Sequence, residues 1–385
     1  MSTKRLLCLS NGHGEDLIAT RIAEALLAYD VEILALPVVG EGEAYRQLGL
    51  KIVVPTRTMP SGGFIYMDVR EFWKDVRGGL GRLTFEQWRT LRRLAPACDL
   101  VLAVGDIVVL ALAYLSKAPY AFVGTAKSDY YQGGRPTDYT SLERWLLNRP
   151  ACRAAFPRDR LTTDNLRRWV PQAVYLGNPM MDKLEAGPDL ATAPPAGAVV
   201  ALLLPGSRAP EACRNLALML QAVEPLAATF PQPLHLLCAR AGSLSDEGIR
   251  AYLPVGWQLE GPLLRRDKLT VHLEQGRFAE CLQRSHLVIA MAGTATEQAV
   301  GLGRPVFTLA GEGPQFTPRF AEAQTRLLGE SVQLVEGGPA ELASRVRVVM
   351  ADAPLRERIR LNGTARMGTP GAARRIAQHV IKLIT

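Results

Sequence analysis

Ala198-Val-Val-Ala-Leu-Leu-Leu-Pro-Gly-Ser-Arg208 decides how this chain is to be read. A fully apolar run of strand length stops at Pro205-Gly206, and a hydroxyl and a guanidinium follow at once. A parallel strand has this character because helices cover both of its faces. Ligands of open α/β sheets bind just beyond the carboxyl ends of the strands. Gly206, Ser207 and Arg208 therefore stand where a phosphate would be held, with the guanidinium suited to a two-pronged contact. The motif lies near the middle of 385 residues rather than at the start. That position predicts a second nucleotide-type domain.

Strands and helices alternate outward from this segment in both directions. Upstream, residues 6–9, 31–36, 51–54, 100–104, 120–123 and 174–176 read as strands, and 17–29, 43–48, 86–94 and 107–115 as helices. Downstream, 199–204, 234–238, 257–260, 287–290, 306–308 and 332–334 read as strands. Helical patterns cover 211–230, 277–284, 294–302, 315–328, 341–350 and 371–384. Such alternation implies βαβ units and parallel sheets. Pro188-Asp-Leu-Ala-Thr-Ala-Pro-Pro195 has linker character. The expected architecture is two doubly wound, Rossmann-like α/β domains, 1–187 and 198–368, with a cleft between them. The C-terminal helix 371–385 is expected to pack back on the first domain.

The composition, 48% hydrophobic and 21% charged, is that of a globular protein, and no apolar run approaches the ~20 residues that span a bilayer. Asn11-Gly-His-Gly14 interrupts the first apolar stretch early, which favours a β-strand over a leader. The cysteines (8, 98, 152, 213, 238 and 281) are scattered without a C-x-x-C pair. They read as core residues of a reducing, cytoplasmic protein. No His/Asp/Glu/Cys group has metal-ligand spacing, so no metal and no cofactor is expected. The net charge of +8 is uneven: Arg77, Arg82, Arg89, Arg92 and Arg93 lie close together, as do Arg144, Arg149, Arg153, Arg158, Arg160, Arg167 and Arg168. Aromatics interleave with them, which favours an anionic partner such as a lipid surface. No nucleic-acid-binding module accompanies them, so no nucleic acid is expected.

Three strand ends carry candidate chemistry. Ser10-Asn-Gly-His-Gly-Glu-Asp16 follows the first strand and opens a helix. Gly12 and Gly14 permit close approach of a ligand, and the helix N-terminus favours an anion or polarised oxygen. His13, the one histidine before residue 200, is either structural or catalytic. Glu15 reads as a complement to the helix dipole. Leu100-Val-Leu-Ala-Val-Gly-Asp106 ends another strand in a carboxylate. Asp106 is either a general base or the cap of the next helix. Ala290-Met-Ala-Gly-Thr-Ala-Thr-Glu297 ends a third. Gly293, Thr294, Ala295 and Thr296 could receive a diphosphate at the helix start, and Glu297 a ribose. A Thr294/Glu297 capping box fits the same spacing. Gln315 is placed to reach a sugar or phosphate, or simply to contact a helix.

These motifs, with Tyr175-Leu-Gly-Asn-Pro-Met180, resemble the GT-B glycosyltransferases that use UDP-sugars, and most closely the lipid A disaccharide synthases. The resemblance runs through most of the chain in order and spacing. It implies a UDP-sugar donor on the second domain: Ser207 and Arg208 at the diphosphate, the turn 293–296 at the phosphates, and Glu297 at the ribose. It further implies an inverting, metal-independent transfer with Asp106 as base or orienting group, and an acceptor side that includes Gly12, Gly14, Asp16 and Asn178. His13 is similar to a residue in the glycine-rich loop of the transferase that makes lipid II. The chain departs from the synthases at His13, at Asn178 in place of their histidine, and across Val123-Gly-Thr-Ala-Lys-Ser-Asp-Tyr-Tyr131. A different, lipid-like acceptor is implied.

Residues 59–95 bear on that acceptor. Phe64, Ile65, Tyr66, Phe72 and Trp73 are apolar within an expected loop, and Phe85, Trp88 and Leu91 follow among arginines. Peripheral contact with an anionic membrane, at its cytoplasmic face, is the expectation.

Overall fold

The computed structural model describes residues 3–54, 81–132, 136–185, 187, 190, 192–311, 313 and 316–385, with backbone alone at 81–85. Two units emerge, Met1–Asp182 with Pro370–Thr385, and Lys183–Thr369.

In the first unit, β1 (Lys4–Asn11), β2 (Val31–Val39), β3 (Lys51–Ile52), β4 (Leu100–Gly105), β5 (Tyr120–Gly124) and β6 (Cys152–Phe156) form one parallel sheet. The helices are α1 (His13–Leu26), α2 (Glu43–Gln47), α3 (Gly81–Leu94), α4 (Ile107–Leu115), α5 (Ser141–Leu147) and α6 (Arg160–Leu166). β4 is buried along its whole length, as a run such as Leu100-Val-Leu-Ala-Val requires.

The second unit holds β7 (Val199–Leu204), α7 (Glu211–Thr229), β8 (Leu234–Arg240), α8 (Asp246–Arg250), β9 (Gln258–Glu260), β10 (Leu263–Arg266), β11 (Leu269–Gln275) and α9 (Phe278–Arg284). It continues through β12 (Leu287–Ala290), α10 (Thr294–Gly301), β13 (Val306–Leu309), α11 (Pro318–Leu328), β14 (Val332–Val335), α12 (Gly338–Ala351) and α13 (Ala353–Met367).

The chain returns to the first unit as α14 (Ala372–Ile384). Ala373, Ile376, Ala377, Val380 and Ile384 recur at helical spacing and are buried. The Asp182 carboxylate accepts from the N–H groups of Gly371, of Ala372 at 3.1 Å and of Ala373 at 2.6 Å. It thereby satisfies donors that the first turn leaves without intrahelical acceptors.

Three expectations are corrected. Residues 174–176 form no strand: Ala173 makes a single bridge to Ala155, and β6 takes the sheet edge. Cys152-Arg-Ala-Ala-Phe lacks β-branched residues, and burial rather than propensity holds it there. The helix expected from 315 begins at Pro318, where the Thr317 hydroxyl caps it by accepting from Phe320 N–H at 3.2 Å. The strands β10 and β11 and the helix α13 have no counterpart in the sequence reading, which places only β9, at residues 257–260.

The first sheet has the order β3-β2-β1-β4-β5-β6, and the parallel part of the second β11-β8-β7-β12-β13-β14. Numbered from its own first strand, each is 3-2-1-4-5-6, the doubly wound order. The order reverses between β1 and β4 in one unit, and between β7 and β12 in the other. Loops leaving those four strand ends diverge to opposite faces and open a crevice for ligands. Among the described residues, no helix is long and apolar enough to cross a membrane.

Candidate functional site

At the switch point of the first unit, β1 ends in Asn11 and β4 in Gly105. Asp106 caps α4: its Oδ1 accepts from Val108 N–H at 2.8 Å and from Asn11 Nδ2 at 2.7 Å. Both of these bonds go to Oδ1 rather than to Oδ2. The two sequence readings of Asp106 are therefore compatible. Burial raises its pKa, partly opposed by the Val108 and Asn11 hydrogen bonds. Asn11 Oδ1 is buried without a partner among the described residues. A Cβ at Gly105, where φ is +145°, would overlap that oxygen, so this close approach requires glycine.

Glu15 belongs to the same place. Thr125, just past β5, donates its hydroxyl to Glu15 Oε1 at 3.3 Å. Burial raises the Glu15 pKa, and the Asp106 charge adds to the rise. The two carboxyls thus share one strand-end site, where the charge of Asp106 hinders the ionisation of Glu15. The dipole reading of Glu15 missed this, because nothing in the local pattern brings it to Thr125. His13 is the first residue of α1 and is exposed, and Gly12 precedes it as an N-cap without a side-chain bond.

Asp16 does not face a ligand. It is 3% exposed and accepts from Ser10 Oγ at 2.5 Å, and Ser10 in turn lies 2.6 Å from the Tyr45 hydroxyl. Burial pushes its pKa from 3.8 to about 7. The folded state therefore keeps a proton that the unfolded chain loses above its ordinary pKa. This contribution to stability is full at low pH and is lost between about 4 and about 7, up to roughly 4 kcal/mol in all. Asp16→Asn keeps the Ser10 bond and removes the titration. Urea unfolding at pH 4.5 and 7.5 is expected to show a shallower fall in stability for the variant; equal falls would contradict the assignment.

Asn178 is likewise buried, its Oδ1 accepting from Met180 N–H at 3.0 Å. Arg21 donates to the carbonyls of Pro179 and Met180 at 2.8 and 3.0 Å, and Arg375 to that of Leu176 at 2.8 Å. These bonds tie the 175–182 segment to α1 and α14. The structure gives Asn178 a turn-forming role rather than an acceptor contact.

At the switch point of the second unit, Asn215 Nδ2 donates to Pro205 O at 3.0 Å and to Met291 O at 3.5 Å, joining the ends of β7 and β12. Gly206, with φ +102°, turns the chain out of β7, and Ser207 and Arg208 follow on the exposed loop. α10 begins beside them in the sheet order. Its N-cap is Gly293, without a side-chain bond, so the Thr294/Glu297 capping box does not form. Thr294 is exposed as the first helical residue, and the N–H groups of Thr294 and Ala295 have no intrahelical carbonyl to reach. The partial positive charge of the helix adds to this donor set. Thr296 is corrected: its hydroxyl turns inward to Ala292 O at 2.7 Å and is fully buried. Glu297 lies in the same first turn, largely buried.

The sequence did not mark two supporting residues of this unit, of which the first holds this turn. Gln324 of α11 donates to Ala292 O at 3.0 Å and Gly293 O at 3.4 Å. Glu211 accepts from Phe316 N–H at 2.7 Å and so anchors the loop before α11. Gln324 lies about thirty residues from the turn it supports, and Glu211 about a hundred from Phe316, which hides both contacts from local reading. Gln315, Phe64, Ile65, Tyr66, Phe72 and Trp73 lie outside the described residues.

No family model matches the chain. Lipid-A-disaccharide synthase 1 of Legionella pneumophila, in strains Lens and Philadelphia 1, is 26% identical to it over 137 residues. That match covers 34% of this chain and about a third, 33%, of the length of those relatives. Solved structures align along nearly the whole chain. The calicheamicin glycosyltransferase CalG4 has TM-score 0.64 at 16% identity, covering 100% of this chain and 99% of its own. MnaA of S. aureus, in a co-structure with UDP, has TM-score 0.63 at 13% identity, covering 99% and 97%. The UDP-GlcNAc 2-epimerase of Neisseria meningitidis, bound to UDP-GlcNAc, has TM-score 0.56 at 12% identity, covering 99% of both chains. The fold is that of GT-B glycosyltransferases and UDP-GlcNAc 2-epimerases, two Rossmann-like units in one chain. The chain resembles the synthase without being identical to it.

Proposed function

We propose that the protein is an inverting, metal-independent glycosyltransferase that moves a sugar from a UDP-sugar to a lipid or lipid-linked acceptor at the cytoplasmic face of a membrane. The observation that carries this reading is the α10 N-terminus, uncapped by any side chain and adjacent in the sheet order to the Ser207-Arg208 loop. Backbone N–H groups and a guanidinium would together neutralise a diphosphate leaving group, the task a metal performs elsewhere. Glu297 would take the ribose hydroxyls.

In the first unit, Asp106 would accept the proton of the acceptor hydroxyl. A raised pKa brings a carboxylate closer to the working pH and makes it a better base. Glu15 beside it would keep the local field negative, and His13 would orient the acceptor from the α1 N-terminus. Activity should fall as pH drops through the raised Asp106 pKa, above the ordinary Asp value, because the base is then protonated. The test is UDP release from UDP-sugars with and without a lipid extract. The reading requires release that depends on the extract.

The 2-epimerases among the structural neighbours favour one second reading, acceptor-independent epimerisation of a UDP-sugar. Epimerised or free sugar formed without any acceptor would support it.

A further inference from the structure

We propose that the flank of the first unit built by α3, α4 and α5 docks on an anionic phospholipid surface. The inference rests on the reading of a lipid-borne acceptor above, and it explains arginines of the 144–168 cluster that the site does not use. α5 carries one acid, Glu143, and that side chain is buried on Lys127 Nζ at 2.7 Å. The outward side of the helix is apolar and cationic: Leu142 is 58% and Trp145 44% exposed. The Arg149 guanidinium lies 4.3 Å from the Trp145 ring centre, and that of Arg144 lies 4.4 Å from Trp169. A hollow of about 270 Å³ opens between the two indoles.

The surface continues across the neighbouring helices. Trp145 meets Tyr114 of α4 edge to face at 5.3 Å. Leu115, which ends α4, is 46% exposed, and its carbonyl accepts from Arg92 of α3 at 3.4 Å. Arg92 lies 6.0 Å over Trp88. Indoles, arginines and exposed leucines therefore form one continuous surface without an outward carboxylate on α5.

This chemistry matches a headgroup layer. Tryptophan settles at the polar–apolar boundary, arginine stems stay in apolar contact while their heads meet phosphate, and leucine enters the acyl region. Single-stranded nucleic acid is the other polyanion to weigh. It binds by stacking bases on aromatic faces. Here guanidinium groups cover faces of Trp145 and Trp169, and exposed leucines offer bases nothing.

The test is co-sedimentation of the full chain with vesicles of phosphatidylcholine alone, or mixed equally with phosphatidylglycerol. Wild-type protein is expected to pellet with the mixed vesicles only, and less so at high salt. Arg144→Glu with Arg149→Glu should lower the partition coefficient at least about tenfold. Leu142→Ser and Trp145→Ser should lower it by about threefold or more. Leu142 is more than half exposed, so its variant stays informative if charge reversal harms folding. No pelleting with mixed vesicles, or undiminished pelleting of all variants, overturns the proposal. So does binding of a single-stranded oligonucleotide that needs the same arginines while vesicle binding does not. UDP calorimetry on the same proteins separates the two readings. Wild-type protein that binds UDP but does not pellet with the mixed vesicles sinks only the docking surface, and wild-type protein that pellets but does not bind UDP sinks only the donor site.

Discussion

Asp106→Asn is expected to reduce sugar transfer by 10²–10⁴-fold, in the range of a lost general base, while UDP affinity stays within about twofold of wild type. The asparagine is the informative choice. Its Oδ1 still accepts from Val108 N–H and Asn11 Nδ2, so the α4 cap and the strand-end contact survive. Asp106→Ala removes the cap as well, at about 1 kcal/mol of stability, and alone would leave cap and catalyst confounded. Measured kcat with normal UDP calorimetry separates them. Turnover above about a tenth of wild type in the asparagine variant would remove Asp106 from the chemistry.

The second large effect lies in the other unit. Arg208→Ala and Glu297→Ala are each expected to weaken UDP binding about tenfold or more, since a hydrogen bond to a charged partner contributes about 1.5–3 kcal/mol. Arg208 is exposed, so its variant should melt within a degree or two of wild type. Titration calorimetry with UDP reads both. Unchanged affinity in both variants would move the donor away from the β7/β12 switch point.

The Leu204-Pro-Gly-Ser-Arg208 segment was legible because burial on both faces leaves an uninterrupted apolar run, and a strand end is a chemical position whatever surrounds it. Asp106 was legible for the same reason. Their companions were not. Glu15 looked like a dipole partner because its contact with Thr125 spans 110 residues of sequence. Gln324 supports a turn 31 or 32 residues earlier, a relation that only the packing of α11 creates. Thr294 and Glu297 fit a capping box by spacing alone, and only the backbone shows that Gly293 is the cap instead. Asp16 and Thr296 were misjudged because residue type does not say which way a side chain points in the first turn of a helix. One turn carries both outward donors and inward supports. The β6 strand escaped for a different reason: Cys152-Arg-Ala-Ala-Phe has the burial of a strand without its propensity.

The central claim, transfer of a sugar from UDP to a lipid hydroxyl, is tested most directly by following label from UDP-[¹⁴C]sugars into the organic phase of a lipid extract while UDP is quantified in the same reaction. The account predicts labelled lipid and UDP in equal amounts with wild-type protein, and about a hundredfold or more less of both with Asp106→Asn. Label that stays in water as free or epimerised sugar, formed equally well without the extract, would contradict it.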